Sequence, residues 1–294
     1  MEISSMIGQL IFDGFAMGLV YVILATGLVL IASVDQILFF AYGQFFTLGA
    51  YTTWFAAVKL QLPFFAALIF GVFVTTLLGM LSYNIIFRRL QFSENKFLAT
   101  LIASMGLSLI ISQAGIYIFG TAPRNIPTLF HGRITFLGVT MGVDKVILIT
   151  LGIFATLLLF WIYEKTNVGR AMRAIAFKPD IATLYGINAN RLYMVALGIG
   201  TGLAGFAGGI IAPVYGMNIS MGQNVLWTVM LMGMLGGMDS LLGAAAGGAV
   251  IGQLLSFGQF YLGGTIQILI FIFIGIILYF RPQGLLGRGI DIGM

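Results

Sequence analysis

Residues 164–191 read EKTNVGRAMRAIAFKPDIATLYGINANR, the longest polar interval in the chain. It carries Glu164, Lys165, Arg170, Arg173, Lys178, Asp180 and Arg191. On one side, residues 146–163 hold no Asp, Glu, Lys or Arg; on the other, none occurs for 47 positions, 192–238. A helix rises about 1.5 Å per residue and the hydrocarbon layer is about 30 Å thick, so roughly 20 apolar residues make one crossing. The segment is therefore a compact polar island between membrane-length runs. It reads as a docking surface for a soluble partner; a basic loop held to anionic lipid is the alternative.

Composition extends this to the whole chain. Of 294 residues, 60% are hydrophobic and 8% charged, where a soluble domain carries about 25% charged. Mean hydropathy is +1.07. The fold class expected is all-α: a single polytopic membrane domain, 1–294, with about 8–9 transmembrane helices. Forty glycines and fifteen methionines fit closely packed membrane helices. The net charge of +5 is no nucleic-acid footprint, because the basic residues gather at span ends. No cysteine is present, so thiol chemistry is excluded. MEISSMIGQL has no basic region before its apolar run, so that run is expected to stay as a span rather than be cleaved.

Charge-free intervals measure the spans. Residues 14–34, 36–58, 60–87, 97–123 and 146–163 each hold one. Residues 192–238 and 240–280 hold two each if Pro213, Gly216 and Asn218 break the first and Gly258, Gly263 and Gly264 the second. The run 240–257 is the weakest and reads either as a crossing or as part of a re-entrant hairpin. Of the 14 basic residues, ten fall at Arg88–Lys96, in 164–191 and at Arg281 and Arg288. The positive-inside bias puts these in the cytoplasm, which gives N-out, C-in and an odd count, nine. The outer loop, 120–145, is denied helix by Pro123 and Pro127. Alternation over Arg133–Val139 predicts a short strand pair, serving as a lid, a landing surface or a plain connector.

Little in the chain can do chemistry. Gly200, Gly202 and Gly205 spell G-x-G-x-x-G, but mid-span, without the strand a nucleotide fingerprint needs. The pairs Gly198/Gly202, Gly205/Gly209, Gly243/Gly247 and Gly248/Gly252 read as helix contacts, in a fixed core or at a subunit interface. No P-loop is present, so no ATP site is expected on this chain. His131 is the only histidine, and with no cysteine a metal site is not expected. No catalytic set is found. Asp13, Asp35 and Asp239 are the acids nearest membrane depth, read as caps or interfacial groups rather than ion-coupling residues.

Two stretches are the candidate sites. In 164–191, Asn167 is the expected N-cap of a helix Val168–Phe177, and Lys178-Pro179 ends it. Asp180 is expected to cap a second helix, Ile181–Tyr185, closed by Gly186. Arg170 and Arg173, three apart, share a face. In 33–51, Tyr42, Gln44 and Thr47, with Gly43 beside them, lie toward mid-membrane among Phe39, Phe40, Phe45, Phe46 and Tyr51. Lipid cannot satisfy polar groups there, so they line a translocation path or bond between helices.

The chain resembles the permease family of branched-chain amino acid ABC importers, specifically its LivH-type subunit. FDGFAMGLVYVILATGL and FFAYGQFFTLGAY are similar to the family's opening patterns. Its signature T-x-x-G-R-A-x-R-A-x-A, then A-x-L-x-G-I, matches Thr166, Gly169, Arg170, Ala171, Arg173, Ala174, Ala176, Ala182, Leu184, Gly186 and Ile187. LGGMDSLLGA (235–244) and RPQGLLG (281–287) are similar too. The resemblance implies a bacterial or archaeal inner-membrane importer. Two permease subunits, this type with a LivM-type partner or a second copy, would sit on two cytoplasmic ATPase subunits that bind ATP. An extracytoplasmic binding protein would deliver substrate. Glu164, Gly169, Arg170, Arg173, Lys178, Asp180, Ala182 and Gly186 would form the ATPase coupling element. The family's N-F-A-H-G-E becomes Phe39–Gln44 here, with Tyr42 for His and Gln44 for Glu. That change leaves urea, short amides and other amino acids open beside leucine, isoleucine and valine. A standalone channel or carrier and a structural scaffold are the competing classes.

Overall fold

The computed structural model describes residues 2–91, 93, 95–126, 132–136, 139–238, 240–281, 284 and 286. Pro127, His131, Asp239, Arg288 and most of RPQGLLG lie outside the described residues. Helices carry the chain, as they must where lipid offers backbone groups no partner. They are α1 Glu2–Asp35, α2 Tyr42–Trp54 with a π turn Phe55–Lys59, and α3 Phe64–Ser82 with a π turn Tyr83–Phe87. Then come α4 Arg88–Leu90, α5 Lys96–Phe119, α6 Val143–Lys165, α7 Asn167–Phe177 and α8 Pro179–Leu184. The last four are α9 Ala189–Tyr215, α10 Met221–Gly236, α11 Leu241–Leu262 and, after a 3₁₀ turn, α12 Ile266–Phe280. The strands expected in the outer loop form a hairpin, β1 Arg133–Phe136 antiparallel to β2 Val139–Gly142.

Each of the nine expected intervals holds a helix, but the crossings are unequal. Six stretches among the described residues are long and apolar enough to span a membrane: Ile7–Asp35, Phe64–Leu90, Lys96–Phe119, Val143–Lys165, Ala189–Tyr215 and Leu241–Phe280. The last joins α11 and α12. The shortfall against eight or nine lies also in α2 and α10, of 13 and 16 residues. At 1.5 Å per residue these climb about 20 and 24 Å, short of a full layer. Each follows irregular backbone, at 36–41 and 216–220, and α2 starts buried inside the bundle. The irregular segments thus precede α2 and α10, not 240–257, which is the well-packed first part of α11. Pro213 does not end α9 either; the helix runs on to Tyr215 and stops at Gly216, whose φ is +72°.

The hub is α1, α2 and α9. The apolar windows of α1 and α9 are 72% and 67% buried, against 22% for α5 and for α6. All of α2 but Leu48 is buried. Small residues permit this. Gly43 of α2 touches the backbone of Gly222 in α10, and Gly49 that of Gly205 in α9, so close that a Cβ on any of them would collide. The G-x-x-x-G glycines all face other helices of this same chain: Gly198 meets Met80, Gly248 meets Val22, and Gly252 meets Gly18. They serve the core.

Charge separates onto the two ends. Tyr83 donates to Asn190 at 3.2 Å and the Lys96 ammonium lies 5.5 Å over the Tyr193 ring, so Arg88, Lys96 and the 164–191 segment share one end. Lys145 pairs with Asp13 at 2.6 Å, and Arg124 stacks on Trp54 and bridges to Met217, at the other end. The positive-inside bias assigns the first end to the cytoplasm.

Gly49→Ala forces two backbones apart and is expected to cost about 1–3 kcal/mol. Gly106→Ala, where a Cβ meets nothing within 4 Å, is expected to be neutral or slightly stabilising. Thermal denaturation of the two variants in detergent checks the contrast.

Candidate functional site

The polar island folds into α7 and α8 at the cytoplasmic end. The Thr166 hydroxyl accepts from the Gly169 N–H at 3.1 Å, which makes Thr166 the N-cap. Asn167, the expected cap, is already helical; its side-chain oxygen accepts from the Arg170 guanidinium. Gly169 lies against the last carbonyls of α6, where a side chain would collide with Tyr163. Arg173 donates to the carbonyls of Tyr163 and Glu164, the second at 3.3 Å, and its guanidinium lies 5.2 Å from the Tyr163 ring centre. The last turn of a helix presents its carbonyls to donors beyond it, and a cation at a helix C-terminus is favourable. Arg173 is thus a clamp between α6 and α7. Met172 and Ile175 complete the inward face of α7.

The two arginines therefore do different things. Arg170 is exposed, while Arg173 is turned inward. Lys178 is exposed at the junction, on extended backbone. Pro179 opens α8 two residues earlier than expected, so Asp180 sits in its first turn and makes no cap. Ala182 is buried and Gly186, at φ +81°, closes the unit. Glu164 is exposed and contributes its backbone carbonyl.

The outward surface of this unit is apolar. Phe177, Leu184 and Tyr185 are 79%, 86% and 83% exposed and Ile181 is 47% exposed, beyond the end of the membrane spans. Phe177 ends α7, Ile181 and Leu184 lie on α8 three apart, and Tyr185 follows at its C-cap. No single helical periodicity announces these residues, because the chain breaks at Lys178 between the two helices.

Tyr42, Gly43, Gln44 and Thr47 come together on the first turns of α2, all buried. The Tyr42 hydroxyl donates to the Leu24 carbonyl at 2.9 Å, and Thr47 bonds its own helix at Gly43 and faces Gly222. They are packed between helices. A cavity of about 290 Å³ lies beside them on the outer side, and of α2 it takes only Phe46. Met17, Tyr21, Tyr215, Asn218 and Met221 are among its other walls.

Asp13 is neither a cap nor free: it pairs with Lys145. Asp35 is wholly buried at the end of α1, and neither carboxylate oxygen meets a hydrogen-bond donor. Lys96 is the cation near enough to act on it, with Tyr83 and Tyr193 alongside. That burial had no signal in the local sequence, since the position reads as a span end.

A many-spanned helical bundle with a clamped helical unit at one end describes a transport permease of the inner membrane. The chain belongs to the family of permease components of branched-chain amino acid transport systems, matched over residues 10–281. It is 26% identical to the high-affinity branched-chain amino acid transport system permease protein BraD of Pseudomonas aeruginosa, over 98% of this chain and 97% of that one. It is 24% identical to the corresponding protein LivH of Escherichia coli, over 95% of each. Its fold is similar to a chain of PsaBC from Streptococcus pneumoniae in complex with Fab, with TM-score 0.51 and 15% identity, over 94% of this chain and 92% of that one. The protein is a multi-pass permease subunit of an ABC importer.

Arg173→Ala removes the clamp and is expected to cost about 1–2 kcal/mol locally, whereas Arg170→Ala is expected to change stability little. Thr166→Val should cost about 1 kcal/mol. Hydrogen exchange over residues 167–187 checks this: faster exchange in the Arg173 and Thr166 variants, unchanged exchange in the Arg170 variant.

Proposed function

We propose that this subunit imports a branched-chain or chemically similar neutral amino acid, powered by two cytoplasmic ATPase subunits that grip α7 and α8. The observation that carries the reading is the apolar tip, Phe177, Ile181, Leu184 and Tyr185, exposed outside the membrane. Contiguous apolar surface facing water marks a protein contact, and Lys178 and Arg170 give it a basic rim. ATP binds on the ATPase subunits. A second permease subunit, LivM-type or another copy, completes the membrane part, and an extracytoplasmic binding protein delivers the solute.

Closure of the ATPases on nucleotide pushes the tip. The push reaches α6 through Arg173, and α1 and α9 through the packed inner face of α7. Access then alternates between the two sides, with the first turns of α2, at Tyr42, Gly43, Gln44 and Thr47, as the moving part beside the solute. Carriage of urea or a short amide is the second reading. It is favoured by the absence of a titratable acid or histidine at 42 and 44 and by the walls of the outer cavity, where no charged side chain stands among the described residues.

Leu184→Asp combined with Tyr185→Asp tests the docking. Buried interface anchors each contribute about 2 kcal/mol or more, so recovery of the ATPase with the tagged permease is expected to fall at least tenfold. Uptake is expected to vanish while membrane insertion persists. Normal ATP-dependent uptake by the double variant, or flux through this chain alone in liposomes, contradicts the reading.

A further inference from the structure

Gln223 and Asn224 lie in the first turn of α10 with their side chains exposed, and Trp227, one turn on, is 44% exposed. Their depth follows from packing. Gly222, beside them, touches Gly43 and Thr47. Tyr42, beside Gly43, reaches the Leu24 carbonyl, and Leu24 is well inside the Ile7–Asp35 crossing. The two amides thus stand at membrane depth, not at a helix end in the headgroups. Neither side chain makes a hydrogen bond among the described residues.

Elsewhere, the outward faces of the spans are mostly apolar; Gln113, Gln259 and Gln267 are the other exposed amides on α5, α11 and α12 among the described residues, and none of them adjoins the cavity. Phe73, Leu109, Ile110, Phe154 and Leu157 are each more than 60% exposed and wholly apolar. Against that background two adjacent exposed amides in one turn, beside the cavity, are out of place in hydrocarbon, which cannot bond them. Polar groups at such depth face protein or water. At 3.6 residues per turn, Asn224 falls between Trp227 and the pair Met221 and Val225. Met221 and Val225 line the outer cavity, so the exposed face of α10 borders that cavity along one edge and runs from there through Asn224 and Trp227 to Gln223, about 160° round the helix from the cavity pair.

We propose that this face of α10 lines the solute path, with Gln223 and Asn224 as its hydrogen-bonding side chains. A carboxamide oxygen accepts from a solute's ammonium or amide N–H, and its NH₂ donates to a carboxylate or carbonyl. The pair therefore takes a neutral solute that both donates and accepts, while Met17, Phe46, Ile211 and Val225 of the cavity wall take its hydrocarbon part. The inference rests on the importer reading, which supplies the second permease subunit to close the path opposite α10. It moves the solute from the buried Tyr42–Thr47 turn to the surface that turn supports.

The absence of native cysteine makes the test direct. Gln223→Cys and Asn224→Cys, with Leu109→Cys and Phe154→Cys as lipid-facing references, are made singly in the complete importer in membrane vesicles. ATP-dependent uptake of leucine, valine and urea is measured first, to find a transported solute. A charged, membrane-impermeant thiol reagent is then applied from the extracytoplasmic side. Positions 223 and 224 are expected to react at least tenfold faster than 109 and 154, and the transported solute is expected to slow them at least threefold. Cysteines at 223 and 224 as inert as the references overturn the lining, as does reaction that no transported solute slows. In either case ATP-dependent uptake leaves the importer reading standing; uptake that needs no ATPase overturns that reading instead.

Discussion

The structure depends on backbones that touch. In a bilayer, apolar side chains gain nothing by leaving lipid for one another, so helices associate through close packing of small residues. Here Gly43 meets Gly222 and Gly49 meets Gly205. The contacts draw α2 into the centre, where α3, α9 and α10 enclose it. That enclosure covers Ile37, Phe39 and Ala41 of the irregular stretch 36–41, while 216–220 lies at the outer end, where Met217 bridges to Arg124. It also leaves the interior of the chain packed, with the sizeable cavity on the outer side, at the mouth of α10.

A bundle so packed does not bend piecemeal. Motion reaches it as rotation or sliding of whole helices, and the place to apply force is the cytoplasmic end, where α7 is fixed. The Thr166 cap, the Gly169 contact and the Arg173 clamp tie α7 to the last turn of α6, while Met172 and Ile175 tie it to the core. What faces away, from Phe177 to Tyr185, is free for a partner. The sidedness is a division of labour within one short segment: inward residues transmit and outward residues receive.

Much of this was legible in the sequence. Charge-free intervals located all nine helices of the membrane part, and the glycine pairs located their contacts. The intervals did not reveal where α2 and α10 start. Extended backbone enclosed by protein carries no charge either, so interval length overstates helix length. Pro213 misled because a proline near a helix end disturbs little that is not already ending. In the polar island, Thr166 and Asn167 are adjacent and both suit a cap, and choosing Asn167 put the register one residue late. The role of Arg173 was invisible because its partners are main-chain carbonyls, which every sequence has. Asp35 shows the same limit: a carboxylate at a span end reads as wet until the neighbouring helices are seen to cover it.

The central claim is that power enters this chain through the tip of α7 and α8. A photo-crosslinking amino acid in place of Tyr185, illuminated in native membranes and read by mass spectrometry, tests it most directly. The account predicts an adduct with a cytoplasmic P-loop ATPase, its yield changing when nucleotide is added. Adducts with lipid alone, or with a protein of the extracytoplasmic side, contradict it.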